Sequence, residues 1–181
     1  NIPDDAFVIS YVGRHNEIKG YDIVKELGNK FLNNSNVYFL LAGKKEPLKG
    51  LDNPKWIEVG WTNDPHSIIA AADMFILPNR ETYFDLIMLE VLSLGQIVVA
   101  SKTGGNKFFE RFASDGIRLY ENIDEACMII TKLMKSDKSC LDEMRNENKK
   151  IFSDEFTVTK FTTEYVKAIQ TISATRRKKT K

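Results

Sequence analysis

Four short runs in this chain are apolar almost without a break: Phe7–Val12 (FVISYV), Val37–Ala42 (VYFLLA), Met74–Leu77 (MFIL) and Ile97–Ala100 (IVVA). A strand with one wet face alternates apolar and polar residues. A continuously apolar strand must be covered on both faces, the habit of parallel sheets flanked by helices. Between the runs lie stretches of helical period. Ile23, Val24, Leu27 and Phe31 share one face of a segment from Tyr21 to Leu32. Trp56–Val59 and Ile117–Tyr120 read as two further strands. Helices are expected over about Pro65–Ala72, Phe84–Leu94, Ile123–Lys135, Ser139–Phe152 and Val158–Ile172. Strands alternating with helices predict an α/β fold with a doubly wound, mostly parallel sheet of about six strands and helices on both faces.

At 181 residues the chain fits one ordinary domain, expected over residues 1–172. Residues 173–181 form a basic tail, expected to be disordered. The net charge of +1 predicts no nucleic-acid partner, but it hides an asymmetry: Arg176, Arg177, Lys178, Lys179 and Lys181 leave the rest of the chain net acidic. The tail reads either as an attraction to anionic lipid or nucleic acid or as a solvated terminus. Cys127 and Cys140 have no metal-ligand neighbours in sequence and read as ordinary thiols of a reducing compartment. No signal peptide is visible and no apolar run approaches the ~20 residues needed to span a bilayer. A cytoplasmic location is therefore expected, with the inner face of the membrane as the site of any association. The chain begins at Asn1 rather than at methionine, so a piece of a longer protein is expected.

The residues that follow the strands carry the chemistry. Gly13, Gly43 and Gly60 each follow a strand; Pro78 and the pair Gly104–Gly105 follow two others. Ligands of such sheets bind outside the carboxyl ends of the strands, where glycine lets them approach the backbone. The first loop, Gly13-Arg14-His15-Asn16-Glu17-Ile18-Lys19-Gly20, puts two cations ahead of a helix amino end. Arg14 offers a bidentate fork and Lys19 a point charge, which suits a phosphate or diphosphate. A second small-residue loop, Lys102 to Lys107, is able to present backbone N–H groups to an anion. The glycine patterns of nicotinamide-binding folds and of P-loops are absent.

The stretch Pro78–Gly95 (PNRETYFDLIMLEVLSLG) adds the acids. Glu81 and Glu90 are nine residues apart, so on one helix they would face opposite ways. Glu81 belongs in the loop and Glu90 inside the helix, with Asp85 expected as its cap. Glu90 is placed to accept hydrogen bonds from vicinal hydroxyls such as those of a ribose; a buried pairing with Arg14 or Lys19 is the structural alternative.

Together these pieces resemble a known family. V-G-R…K-G after the first strand, L-L-A-G-K at the second, V-G-W after the third, A-A-D-x-F-I-L-P-N-R, L-E-V-L-S-L-G and T-G-G resemble family-four glycosyltransferases of the GT-B type, over about Phe7 to Tyr165. The resemblance implies a Rossmann-like domain, the carboxy-terminal, donor-binding half of a retaining transferase whose other half binds the acceptor. It implies a nucleotide diphosphate sugar, UDP- or GDP-linked, as substrate, with no further cofactor and no metal. Arg14 and Lys19 would neutralise the diphosphate leaving group, and Glu90 would bind the ribose. The backbone of Phe84, Asp85 and Leu86, and that of Gly13, Gly104 and Gly105, would meet phosphate or sugar.

Three positions depart from the pattern. The first motif glutamate falls on Thr82, with Glu81 one residue early; the family's glycine after the aromatic is Asp85; a later glutamate falls near Phe108. Either Glu81 or Thr82 then contacts the sugar. The family's acceptor-side histidine belongs to the other half, so His15 and His66 are expected to be loop residues without that role. The predicted function is donor binding for transfer of a sugar in polysaccharide or glycoconjugate synthesis, the chain being inactive alone. The alternatives are a non-catalytic nucleotide- or partner-binding module and another GT-B enzyme such as a nucleotide-sugar epimerase.

Overall fold

A computed structural model describes residues 2–34 and 36–179, with 175–179 by backbone alone. Six strands form one sheet: β1 (Phe7–Val12), β2 (Val37–Ala42), β3 (Trp56–Gly60), β4 (Met74–Leu77), β5 (Val98–Ser101) and β6 (Ile117–Tyr120). Their order is β3-β2-β1-β4-β5-β6 and every pairing is parallel. The helices are α1 (Tyr21–Phe31), α2 (Pro65–Ala70), α3 (Leu86–Ser93), α4 (Ile123–Met134), α5 (Lys138–Glu155) and α6 (Val158–Lys179). A 3-10 helix, Gly104–Phe112, follows β5, where the sequence suggested only a small-residue loop.

The unbroken apolar character of the strands has the expected cause. Along β4, Met74 and Ile76 pack with Val24 and Leu27 of α1 and Ile130 of α4. Phe75 and Leu77 point the other way, onto Met88, Val91 and Leu92 of α3. Each such side chain gains roughly 1.5–3 kcal/mol from burial, which is why neither face of the strand tolerates water. Ser10, the hydroxyl within β1, is buried and donates to the Met74 carbonyl across the sheet (3.3 Å).

The strand order runs outward in both directions from the β1–β4 pair, which places the topological switch point between those two strands. The crevice of such a sheet opens there, at the carboxyl ends. The last helix runs past the expected end at Ile172 as far as Lys179, so the basic stretch continues α6 where a disordered tail was expected. Lys181 lies outside the described residues, and nothing in the described side chains bears on a lipid contact of the tail.

Candidate functional site

Loops from three strands close the switch point. The β1 loop is held by Tyr11, whose hydroxyl donates to the Arg14 carbonyl (2.8 Å). The Arg80 N–H donates to the Ile18 carbonyl (3.0 Å), joining the β4 loop to it. Gly20 caps α1 in the left-handed region (φ 66°), and a Cβ there would stand 1.9 Å from the Pro78 carbonyl oxygen. Only glycine fits both the backbone and the approach.

Arg14 is exposed at the mouth of a crevice of about 380 Å³ between the ends of β1, β2 and β3, lined by Gly13, Gly43, Lys44, Trp61 and Pro65 among others. Among the described residues no carboxylate lies within ion-pairing distance of Arg14. Trp61, 71% exposed, stands on the far wall. Lys19 differs: its Nζ lies 3.0 Å from Asp85 Oδ1. Asp85 was expected to cap α3 with its side chain. It occupies the cap position but makes no such bond, because its carboxylate turns to Lys19 instead. Its second oxygen is buried without a hydrogen-bond partner.

Glu90 sits inside α3 as expected, but neither buried nor paired with Arg14 or Lys19. It is 43% exposed and 3.8 Å from His66 Nε2. His66, expected in a loop, belongs to α2 and follows Pro65 of the crevice wall. Phe84 and Leu86 are exposed at the amino end of α3, whose first N–H groups have no partner within the helix. Glu81 is exposed in the β4 loop and, among the described residues, makes no ion pair.

Thr82 is tied by its backbone: its carbonyl accepts from the Gly105 N–H (3.4 Å). A Cβ on Gly104 would fall 1.7 Å from that same oxygen, and one on Gly105 2.0 Å from the Tyr83 carbonyl oxygen. The glycine pair therefore has a packing reason in the chain itself, the close approach of the β4 and β5 loops.

His15 is a loop residue, yet wholly buried and stacked on Tyr21 with ring centroids 3.8 Å apart. Beneath it Glu58 accepts from the Tyr21 hydroxyl and from Trp56 Nε1 (3.1 Å) and pairs with Lys45 (2.9 Å). Burial pushes the Glu58 carboxyl up, but these hydrogen bonds together outweigh it and hold it at about 2. Burial lowers the His15 imidazole below its usual value, against an opposing pull from Glu58. The cluster is the floor under the β1 loop, with the His15 carbonyl accepting from the Leu48 N–H (2.9 Å).

Sequence reasoning missed Trp61 as a crevice residue and His66 as the neighbour of Glu90. The V-G-W motif had placed Trp61 at a strand end, but only the fold shows that its ring stands in solvent beside Gly43. Among the described residues no group of three or more His, Cys, Asp or Glu is placed to hold a metal ion.

A parallel doubly wound sheet with a crevice at the carboxyl ends of β1, β2 and β3, an arginine at its mouth and a glutamate on the helix beyond β4, has the architecture of the carboxy-terminal, Rossmann-like half of a GT-B fold. The chain belongs to the family Glycosyl transferases group 1, whose model matches residues 6–136. It is similar to the O-antigen biosynthesis glycosyltransferase WclY of Escherichia coli, 27% identical over 173 residues that make up 91% of this chain and 47% of that protein. Granule-bound starch synthase 1 of Pisum sativum is 34% identical over 115 residues, 58% of this chain and 19% of that protein. Among solved structures, Anabaena Alr3699/HepE in complex with UDP-glucose matches with a TM-score of 0.76 at 19% identity, over 92% of this chain and 49% of that one. Sucrose-phosphate synthase from Thermosynechococcus elongatus matches with a TM-score of 0.77 at 17% identity, over 96% of this chain and 47% of that one. The chain thus spans about half the length of WclY and of these structures. No helix among the described residues is long and apolar enough to cross a membrane.

Proposed function

We propose that this chain is the donor-binding half of a retaining glycosyltransferase that moves a sugar from a nucleotide diphosphate sugar to an acceptor in polysaccharide or glycoconjugate synthesis. The observation that carries the reading is Arg14: an exposed guanidinium with no carboxylate beside it among the described residues, at the mouth of a glycine-lined crevice. A diphosphate would bridge Arg14 and the amino end of α3, where free N–H groups and the helix dipole favour an anion. The base would lie against Trp61, and Glu90 would accept hydrogen bonds from the ribose hydroxyls. The sugar would extend toward Glu81 and Thr82. Departure of the nucleotide leaves negative charge on the diphosphate, and Arg14 and Lys19 would stabilise that charge as it develops. No further cofactor enters the proposal. UDP is favoured over GDP by the UDP-glucose complex of the Anabaena neighbour. The acceptor half would be the part of the protein beyond this chain, and a cytoplasmic location belongs to the same proposal.

Titration calorimetry of residues 1–181 with UDP, GDP and ADP tests the reading. One of the three is expected to bind, and Arg14→Ala to weaken it by about 1–3 kcal/mol, the range for a lost charged hydrogen bond. Glu90→Ala is expected to weaken the nucleotide while leaving inorganic pyrophosphate unchanged. No binding of any of the three at millimolar concentration favours the non-catalytic, partner-binding module instead.

A further inference from the structure

The second cationic loop, Lys102 to Lys107, enters the donor reading only through the backbone of Gly104 and Gly105, and the fold turns Lys102, Thr103 and Lys107 toward a different place. A cleft of about 660 Å³ opens on the face that carries α1 and α4, at the carboxyl ends of β4, β5 and β6. It shares no lining residue with the Arg14 crevice. The Arg80–Asp22 ion pair lies at its edge, tying the β4 loop to α1.

Among the described residues, two polar groups line this cleft without a partner. Asn79 is 1% exposed, and neither its amide oxygen nor its amide nitrogen makes a hydrogen bond. Its backbone is held in place, since its carbonyl accepts from the Ser101 hydroxyl. Tyr120 is 4% exposed and its hydroxyl is also unpartnered. Burial raises the Tyr120 phenol far above its usual range, so it remains a donor at every physiological pH. Buried polar groups are nearly always satisfied; a pair of orphans at one cleft signals a partner that the chain itself does not supply.

The charges say what kind of partner. Lys102 is spoken for by Glu110 (2.7 Å) and Glu121 (3.3 Å). Of the other charged groups on the walls, Lys107 and Glu26 are exposed and, among the described residues, neither has an ion-pair partner. One free base and one free acid balance, so the cleft does not ask for a charged ligand. It offers a carboxylate to accept, an ammonium and a phenol to donate, and an amide that needs both at once. A hydroxyl is the group that donates and accepts together.

We propose that this cleft is a second binding site, for a neutral saccharide, distinct from the donor crevice. Its volume would hold roughly two sugar rings, within the usual range of ligand pockets. The site does not depend on the donor reading, because none of its residues is used there.

The test is a titration of isotopically labelled residues 1–181, followed by nuclear magnetic resonance at the Asn79 side-chain amide and the Thr103 and Lys107 backbone amides. The probes are maltose, cellobiose, lactose, N-acetylglucosamine, glucuronate and inorganic phosphate, each to tens of millimolar, with and without saturating UDP. At least one neutral sugar is expected to shift these resonances saturably, and UDP to change its affinity by less than about twofold. Glu26→Gln, an exposed change with no bearing on the core, is expected to weaken that sugar by about threefold or more, as loss of a charged acceptor should. Asn79→Ala is expected to abolish the response. The proposal is overturned if no neutral sugar gives a saturable shift at these resonances, if glucuronate or phosphate binds there more tightly, if UDP competes, or if Glu26→Gln has no effect. UDP shifts at Gly13 and Gly43 report the donor reading separately, so either can fail without the other.

Discussion

At the scale of single residues, Asp85 has the largest consequence for the crevice. It stands where the resembled family has glycine, and it holds the cation that a diphosphate would need. An arriving diphosphate must displace one carboxylate from Lys19 and tolerate it nearby. Asp85→Asn keeps the shape and removes the charge, so it is expected to tighten UDP by about tenfold, the scale of one partly buried ion pair. Unchanged or weaker binding in calorimetry would mean that Lys19 does not reach the phosphates. Below the β1 loop, His15 and Glu58 set a pH dependence. His15 is buried with its pKa lowered, so the folded chain takes up a proton less readily than the unfolded one. The stability it permits is complete above pH 6.5, the ordinary imidazole value, and declines as pH falls below it. Glu58, at about 2 against an ordinary 4.5, contributes fully above 4.5 and loses that contribution as pH falls toward 2. Urea midpoints are expected to drop in these two steps, and His15→Phe to remove the upper one while the lower remains.

At the scale of elements, the fold was written plainly in the chain. Runs such as MFIL are too short for a helix and end at a turn residue, which reads as a strand covered on both faces, and α1 and α4 follow from their periodic apolar stripes. What was not legible is which neighbour each element meets. Periodicity places Glu90 on a face of α3 but is silent on α2 opposite, and so it could not name His66. The Gly104–Gly105 pair reads as an anion cradle until the β4 loop is seen pressed against it. A 3-10 helix after β5 has too few residues of consistent period to announce itself. Asn148 of α5 is a further case. Wholly buried, its amide donates to the Gln96 and Gly116 carbonyls, both at 2.9 Å, and its oxygen accepts from Ser114 (3.1 Å). One side chain thereby fixes α5 to the starts of β5 and β6. Asn148→Ala strips the Gln96 carbonyl of its amide donor, leaves the Gly116 carbonyl with the Val98 N–H alone, and is expected to cost about 2–4 kcal/mol in denaturant unfolding, more than one lost hydrogen bond. A loss below about 1 kcal/mol would show that α5 is held by its apolar contacts alone.

At the scale of the whole molecule, α6 is an element without a core. Its first part presents Val158, Phe161, Tyr165, Val166, Ile169 and Ile172, each between 46% and 82% exposed. Phe161 and Tyr165 stack on each other, ring centroids 5.9 Å apart. A helix draws most of its stability in a protein from an apolar face buried elsewhere, and this one buries little. WclY is about twice as long as its matched stretch, and the proposed acceptor half would be available to cover this face. Two measurements follow. Removing residues 158–181 is expected to change the unfolding free energy of the remaining chain by less than about 1 kcal/mol, because little area leaves the core with them. Amide exchange along α6 is expected to be fast in residues 1–181 and slow in the full-length protein, while α4, packed against the sheet, stays slow in both. A large loss of stability on truncation would mean that α6 belongs to this domain's own core. Fast exchange in the full-length protein would mean that the other half docks elsewhere, and that the apolar stripe of α6 serves a different contact.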